Sequence, residues 1–341
     1  MDYTDPDNWT LYYGNYSEYN YTNGTENPTT LSGADNLSLV LFFLTFLAGV
    51  PGNLMVIWVM GFKMPRTVNV VWFLNLAVAD LVYCLLLPFQ IANILLKYHW
   101  PYGVLLCKLL PSSIILNLFA SVFLLSAISV DRCVTVMLPV WSQNHRRVKS
   151  ASWVSLGVWL LAAAVTWPSL VVRSTFELAP DWVVCINDYQ PPWNQAAVEL
   201  VRMLLGFVVP LLTILVSYSL IVHWIRVSRL SGSKQRSKPF KLMSAVVLTF
   251  FLCWLPYHVV GLLLLTSTKV PLVWGNLSVG LASINSAVNP FLYVFAGQDA
   301  RRSLRVSLAS AIRAALVEES FTASSSRAVT NSSQFASEVK V

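Results

Sequence analysis

The side chains in this sequence most able to do chemistry are the few ionisable groups that interrupt long apolar runs. Asp80 closes Leu76-Ala-Val-Ala-Asp80 in the middle of one run. A carboxylate in such a setting is costly unless other groups solvate it. Asn53, Asn117, Ser121, Asn285, Ser286 and Asn289 fall at comparable depth in other runs. A carboxylate ringed by neutral oxygen ligands suits a small hard cation such as sodium, although the same residues also read as a purely structural hydrogen-bond network. Arg202 is the second such group. It could snorkel towards water. Facing inward, it is a fixed fork-shaped cation that takes a carboxylate through two parallel hydrogen bonds, with Arg173, Glu199, Asp188 and Tyr257 as its expected neighbours. The runs contain no paired His, Asp and Ser and no His-Glu-x-x-His, so no enzyme is expected.

The elements that must hold these groups are long and hydrophobic. Of the 341 residues, 56% are apolar and only 11% charged, where a soluble domain carries roughly a quarter charged residues. Seven runs reach the ~20 residues needed to cross a bilayer as helix: Leu37 to Phe62, Val70 to Leu96, Val104 to Leu138, Ala151 to Val172, Ala196 to Ile225, Phe240 to Leu265 and Trp274 to Phe295. The expected fold class is an all-α membrane protein, a seven-transmembrane helix bundle over residues 37–297. No separate soluble domain fits in what remains. Pro88, Pro168, Pro210, Pro256 and Pro290 interrupt the spans; each removes a backbone hydrogen bond and makes a kink about which a helix can pivot.

Charge sets the orientation. No Lys or Arg precedes Lys63, and six acids give that segment a charge of −6, leaving +13 for the rest of a chain whose net charge is +7. With the N-terminus outside and the C-terminus in the cytoplasm, only Lys97, Lys108, Arg173, Arg202 and Lys269 face outward, and the other eighteen of the 23 basic residues face inward, as the positive-inside rule requires. Hydrocarbon-length segments break up the positive charge, so nucleic acid is not an expected partner.

Residues 1–36 read as a polar, acidic extracellular leader without a signal peptide's basic and apolar regions. Its Asn-x-Ser/Thr sites at Asn8, Asn15, Asn20, Asn23 and Asn36 are expected glycosylation acceptors, and tyrosines among its acids make an anionic strand for a cationic partner. Of the five cysteines, Cys107 and Cys185 both face the oxidising side and are the economical disulfide; Cys84, Cys133 and Cys253 read as free thiols. Residues 298–316 read as an amphipathic helix lying on membrane lipid. Residues 317–341 read as a disordered cytoplasmic tail, with Ser320, Thr322, Ser324, Ser325 and Ser326 as phosphorylation sites for receptor kinases and the resulting negative charge as the mark arrestin binds.

Gly52-Asn53, Leu76-Ala-Val-Ala-Asp80, Asp131-Arg132-Cys133, Trp159, Cys253-Trp-Leu-Pro256 and Asn289-Pro-Phe-Leu-Tyr293 occur in that order along the spans. Together they resemble the rhodopsin-like (class A) G-protein-coupled receptors. The resemblance implies that Asp131 holds Arg132 at rest and that Arg132 then meets a heterotrimeric G protein. It also implies that Tyr218 and Tyr293 rearrange around Arg132, and that Trp254, beside Pro256, responds to ligand. Cys133 stands where the family usually has Tyr, a change often seen in its peptide-chemoattractant group.

The outer half of the third span lacks the Asp of an amine receptor, and Ser283 stands where an opsin would need Lys. The segments Phe62 to Asn69, His99 to Gly103 and Pro139 to His145 are similar to those of the anaphylatoxin, formyl-peptide and chemerin receptors. Leu110 to Asn117, Asn187 to Tyr189 and Val201 to Phe207 look most like the receptors for the fifth-component complement anaphylatoxin, which implies ligand contacts at Pro111 and Ile115. One departure is that Trp274 to Ser278 carries no acid to receive a ligand's terminal arginine. The expectation is therefore a plasma-membrane chemoattractant receptor. Its anionic leader captures a basic protein, the ligand's C-terminal tail enters the bundle, and an inhibitory-type G protein and arrestin follow. A chemerin receptor is the alternative ligand reading, and a scavenging receptor that recruits arrestin alone is the alternative output. A transporter is the rival class, but the internal repeats it would show are not visible.

Overall fold

A computed structural model of the chain describes residues 31–189, 193–230, 238–266 and 272–296. The sequons at Asn8, Asn15, Asn20 and Asn23, the expected lipid-lying helix at 298–316 and the phosphorylation sites of the tail lie outside those residues.

The helices are α1 (Gly33–Trp58), α2 (Val68–Leu95), α3 (Gly103–Met137), the short α4 (Pro139–His145), α5 (Val148–Val171), α6 (Trp193–Met203), α7 (Val209–Leu230), α8 (Lys238–Thr266) and α9 (Leu272–Ala296). Two π-helical turns interrupt them, Val59–Lys63 after α1 and Leu204–Val208 between α6 and α7. Among the described residues, six stretches are long and apolar enough to cross a membrane: Gly33–Lys63, Val68–Leu95, Gly103–Met137, Val148–Val171, Asn194–Val227 and Val247–Leu265. α9 packs against α1 and α8, α1 against α2, and α3 against both α5 and α7. α3 is the most enclosed of the six, and Leu118, Val122 and Leu124 along it have no exposed surface. Outward residues such as Trp153 and Trp167 on α5 are instead apolar and exposed, the pattern of a helix facing lipid.

Without a hydrophobic force between helices inside a bilayer, close approach depends on small residues. Gly49 on α1 shows this directly, because a Cβ there would stand 2.5 Å from the Sγ of Cys84 on α2. The leader ends earlier than residue 36. α1 begins at Gly33 because Ser32 caps it, its hydroxyl accepting from the Asp35 backbone N–H at 3.1 Å and donating to Asp35 Oδ2 at 2.8 Å. Asn36 therefore lies in the first turn of a helix, with its sequon partner Ser38 fully buried.

An antiparallel hairpin of β1 (Arg173–Ala179) and β2 (Trp182–Asn187) is an addition to the all-α expectation. Its turn runs through Pro180 and Asp181, the latter with φ 63°, a left-handed conformation that Asp tolerates. Thr175 pairs with Cys185 in its register. The Cys107–Cys185 disulfide ties β2 to the outer end of α3, and Trp100 N–H donates to Val183 O at 2.7 Å, tying it to the loop after α2. Cys84, Cys133 and Cys253 are free thiols.

The disulfide closes a span of 78 residues, and losing such a closure costs about 2–5 kcal/mol. Cys185→Ser is expected to lower the thermal midpoint of the detergent-solubilised protein by several degrees, checked by a thiol-independent thermal-shift assay; an unchanged midpoint would contradict it.

Candidate functional site

The polar groups of the bundle form three layers. The outer layer centres on Arg202, on the last turn of α6 just before the Leu204–Val208 π turn. Arg202 is 8% exposed, so it faces the interior rather than lipid. Its Nη1 pairs with Glu199 Oε1 at 2.6 Å, one turn back on the same helix, and its Nη2 donates to Ser169 Oγ of α5 at 3.1 Å. The other Glu199 oxygen lies over α8 at Gly261, where a Cβ would come within 2.8 Å of it. Tyr257 and Tyr189 are further electrostatic neighbours of Arg202, and Arg173 is one of Tyr257.

Arg202, Glu199, Tyr257 and Arg173 are thus brought together as expected. Ile115 is 6% exposed and packs with Phe119, Ala162 and Tyr257, and Pro111 lies one turn above it, half-buried in α3. Asp188 is placed differently: its backbone N–H bonds Val172 O at 2.6 Å, while its Oδ1 is buried with no hydrogen-bond partner among the described residues. At the same end, Asn276 of α9 donates to Tyr98 Oη at 2.6 Å and Tyr98 in turn donates to Asp35. The outer end of α9 therefore has a carboxylate nearby, supplied by α1.

The middle layer centres on Asp80, which has no exposed surface. Ser286 Oγ donates to its Oδ1 at 2.8 Å, Asn117 Nδ2 to the same oxygen at 3.2 Å, and Asn289 Nδ2 to its Oδ2 at 2.8 Å. Asn53 Nδ2 instead bonds the backbone carbonyls of Gly49 and Ser286, both at 2.9 Å. Ser121 Oγ, Asn289 Oδ1 and both side-chain heteroatoms of Asn285 are buried without partners among the described residues. Nor do those residues contain a group of three His, Cys, Asp or Glu that could hold a transition metal. The groups that meet at Asp80 are one carboxylate and neutral amide and hydroxyl side chains, whose oxygens are hard ligands.

Between these layers sits Trp254, 1% exposed, its indole N–H without a partner among the described residues, two residues before the Pro256 interruption of α8. Its ring lies 5.7 Å from Tyr257 and 6.0 Å from Phe250.

The inner layer departs from the expected pairing. Asp131 is held by Arg146, not by Arg132: Arg146 Nε and Nη2 donate to its two oxygens at 2.8 and 2.9 Å. Arg132 donates to Asn69 Oδ1, which also accepts from Arg146 Nη2 at 2.6 Å. The physical reason is the helix itself, since residues 131 and 132 are successive on α3 and successive side chains do not face each other. Arg146, which follows α4, comes at Asp131 side-on with the fork geometry a carboxylate prefers. Arg146, Asp131 and Tyr218 of α7 are electrostatic neighbours of Arg132, so Asp131 still attracts it without a hydrogen bond. Tyr293 lies in α9, but its side chain is outside the described residues.

Sequence reasoning missed Ser169, His258, Asn69 and Arg146. His258 carries a usable signal, an ionisable ring inside an apolar run. Asn69 and Arg146 carry none, because polar residues at the membrane edge are ordinary.

The sequence is similar to those of known proteins. The family model described as 7 transmembrane receptor (rhodopsin family) matches residues 52–293. The chain is 44% identical over 289 residues to a C3a anaphylatoxin chemotactic receptor of Danio rerio, covering 83% of this chain and 78% of that protein. It is 41% identical over 335 residues to the C5a anaphylatoxin chemotactic receptor 1 of Homo sapiens, covering 94% and 93%. With a chemerin-like receptor 1 of Bos taurus it shares 43% identity over 305 residues, 83% of each chain. The chain therefore belongs to the rhodopsin family of seven-transmembrane receptors: it is a multi-pass G-protein-coupled receptor of the plasma membrane and not an enzyme.

Proposed function

We propose that this receptor detects a basic chemotactic polypeptide through its C-terminal carboxylate, with the fifth-component complement anaphylatoxin as the first candidate ligand and chemerin as the second. The observation that carries the reading is the inward, buried guanidinium of Arg202. A buried cation must be paired, and here its partner is Glu199 of its own helix. A ligand carboxylate is a chemically equivalent partner. Arriving from outside, it takes over Arg202 and leaves Glu199 to face the ligand's basic groups. Asp35 adds a carboxylate near the outer end of α9, which supports a ligand carrying positive charge close to its end. The names of the C3a, C5a and chemerin relatives support this class of ligand at similar identity.

In the same reading the acidic leader is extracellular and the C-terminus cytoplasmic, in keeping with the distribution of Lys and Arg. Ligand binds better to one arrangement of the helices and shifts the population towards it. At the inner face Arg132, which donates to the neutral oxygen of Asn69 rather than to a carboxylate, is the cation that meets an inhibitory-type G protein; arrestin follows phosphorylation of the tail. A sodium ion held by Asp80 with Ser121, Asn117 and Asn289 would supply one positive charge to balance the buried carboxylate. Asp80 anchors the donors of α3 and α9 around one point, so separating those helices costs it solvation.

Two measurements check these readings. In cells expressing the full chain, inhibition of cAMP and calcium release are read against complement anaphylatoxins, chemerin and formyl peptides, for wild type and Arg202→Ala. Losing a charge-assisted hydrogen-bond pair, about 1.5–3 kcal/mol, is expected to cut the active ligand's potency about 10–100-fold; unchanged potency at equal surface level removes the carboxylate role, and silence to the anaphylatoxin with response to chemerin moves the ligand to the second candidate. In membranes, agonist affinity is expected to fall as sodium chloride replaces choline chloride, and Asp80→Asn to abolish that dependence. A dependence that survives Asp80→Asn would place the ion elsewhere.

A further inference from the structure

His258 lies at the floor of the outer layer. It is 4% exposed, and its Nε2 is buried without a hydrogen-bond partner among the described residues. An imidazole always carries at least one N–H donor, and a buried polar atom left unpaired costs about 1–3 kcal/mol. Packing alone would be better served by an apolar ring. The rings of Phe207, 5.1 Å away, and Tyr257, 5.5 Å away, pack against it, and Arg202 is its charged neighbour. Gly206 packs beside it: a Cβ there would stand 3.5 Å from His258 Cε1, an ordinary contact, and a tighter 3.3 Å from Leu118. Gly206 and Phe207 belong to the Leu204–Val208 π turn, so the irregularity that follows Arg202 also shapes the seat of His258.

A line of rings runs down from His258. Phe207 meets Phe251 edge-on at 5.1 Å, Phe251 meets Phe250 at 5.4 Å, and Phe250 lies 6.0 Å from Trp254. What touches His258 thus presses on the aromatic layer below Pro256.

We propose that His258 is a specificity residue of this receptor, donating its Nε2 proton to the ligand's terminal carboxylate alongside Arg202, so that a free acid is preferred to an amide. The inference rests on the carboxylate reading of Arg202 given above. A carboxylate offers two oxygens with about four acceptor positions, enough for a guanidinium N–H and an imidazole N–H together. An amide offers one oxygen, and its NH2 points a donor at a donor, which is the kind of mismatch that discriminates ligands strongly. Because Arg202 stands on α6 and His258 on α8, a carboxylate shared by both ties the two spans together.

The test uses the full-length receptor in cells, with surface level measured by an antibody to an N-terminal tag. The probes are a synthetic C-terminal peptide of the fifth-component anaphylatoxin as free acid and as amide. Wild type is expected to prefer the acid. His258→Phe is expected to reduce that preference about tenfold, the loss of one hydrogen bond worth about 1.4 kcal/mol. His258→Gln, which keeps an N–H at similar reach, retains most of it, and His258→Asn, too short to reach, loses it as Phe does. If His258→Phe does not reach the surface, the Gln and Asn pair carries the comparison. Equal shifts for acid and amide, or no shift in either, overturn the proposal. If Arg202→Gln abolishes the preference while the His258 variants keep it, this inference falls alone; if Arg202→Gln also leaves it intact, the carboxylate reading falls with it.

Discussion

A charge inside hydrocarbon has to be solvated by the protein, and that constraint organises this molecule. The Arg202–Glu199 pair is the clearest case: a guanidinium with 8% exposure is satisfied at 2.6 Å by a carboxylate one turn back, and by Ser169 from the neighbouring helix. The same demand recruits Asn117, Ser286 and Asn289 to Asp80, and Arg146 to Asp131. Each charge therefore finds partners beyond its own helix: acceptors for Arg202, donors for Asp80 and Asp131. The outer layer joins α5, α6 and α8, the middle layer α2, α3 and α9, and the inner layer α2, α3 and the segment after α4. Because lipid offers no hydrophobic force between helices, these polar ties do much of the work of holding the spans in register.

The departures from regular helix fall where those ties need them. The Leu204–Val208 π turn sits directly after Arg202, and insertions of this kind concentrate at functional sites. It places Gly206 against His258 and Leu118. Pro256 follows Trp254 by two residues in α8, and Pro290 follows Asn289 in α9, so the interrupted turns lie beside the groups that ligand and ion would move. Gly52 brings α1 against Pro290, where a Cβ would come within 3.1 Å of its ring. Movement at the outer site can thus pass to the inner face through helices that already have a place to bend.

Much of this is legible in the amino-acid sequence alone. Asp80 with Asn117, Ser286 and Asn289, and Arg202 with Glu199 and Tyr257, can be read because an ionisable or amide side chain inside an apolar run has few explanations. The disulfide follows from two cysteines sharing the oxidising side. Other features cannot be read so directly. The hairpin at Arg173–Asn187 is hidden in a loop, although Pro180-Asp181, between Ala179 and Trp182, is a turn signal. The resemblance implies an Asp131–Arg132 pair, and the molecule has Asp131–Arg146 in its place, because a sequence shows adjacency along the chain but not the direction of side chains on a helix. Asp35 reads as one more acid of the leader, yet it is 6% exposed and bonded to Tyr98, since the cap at Ser32 starts α1 earlier than the apolar pattern does.

The most direct measurement is the structure of the full-length receptor bound to the fifth-component anaphylatoxin by cryo-electron microscopy, at a resolution that shows side chains. The ligand's terminal carboxylate is expected within hydrogen-bond distance of Arg202, with Glu199 displaced from the guanidinium. Finding Glu199 still paired to Arg202 and the ligand's C-terminus elsewhere would contradict it.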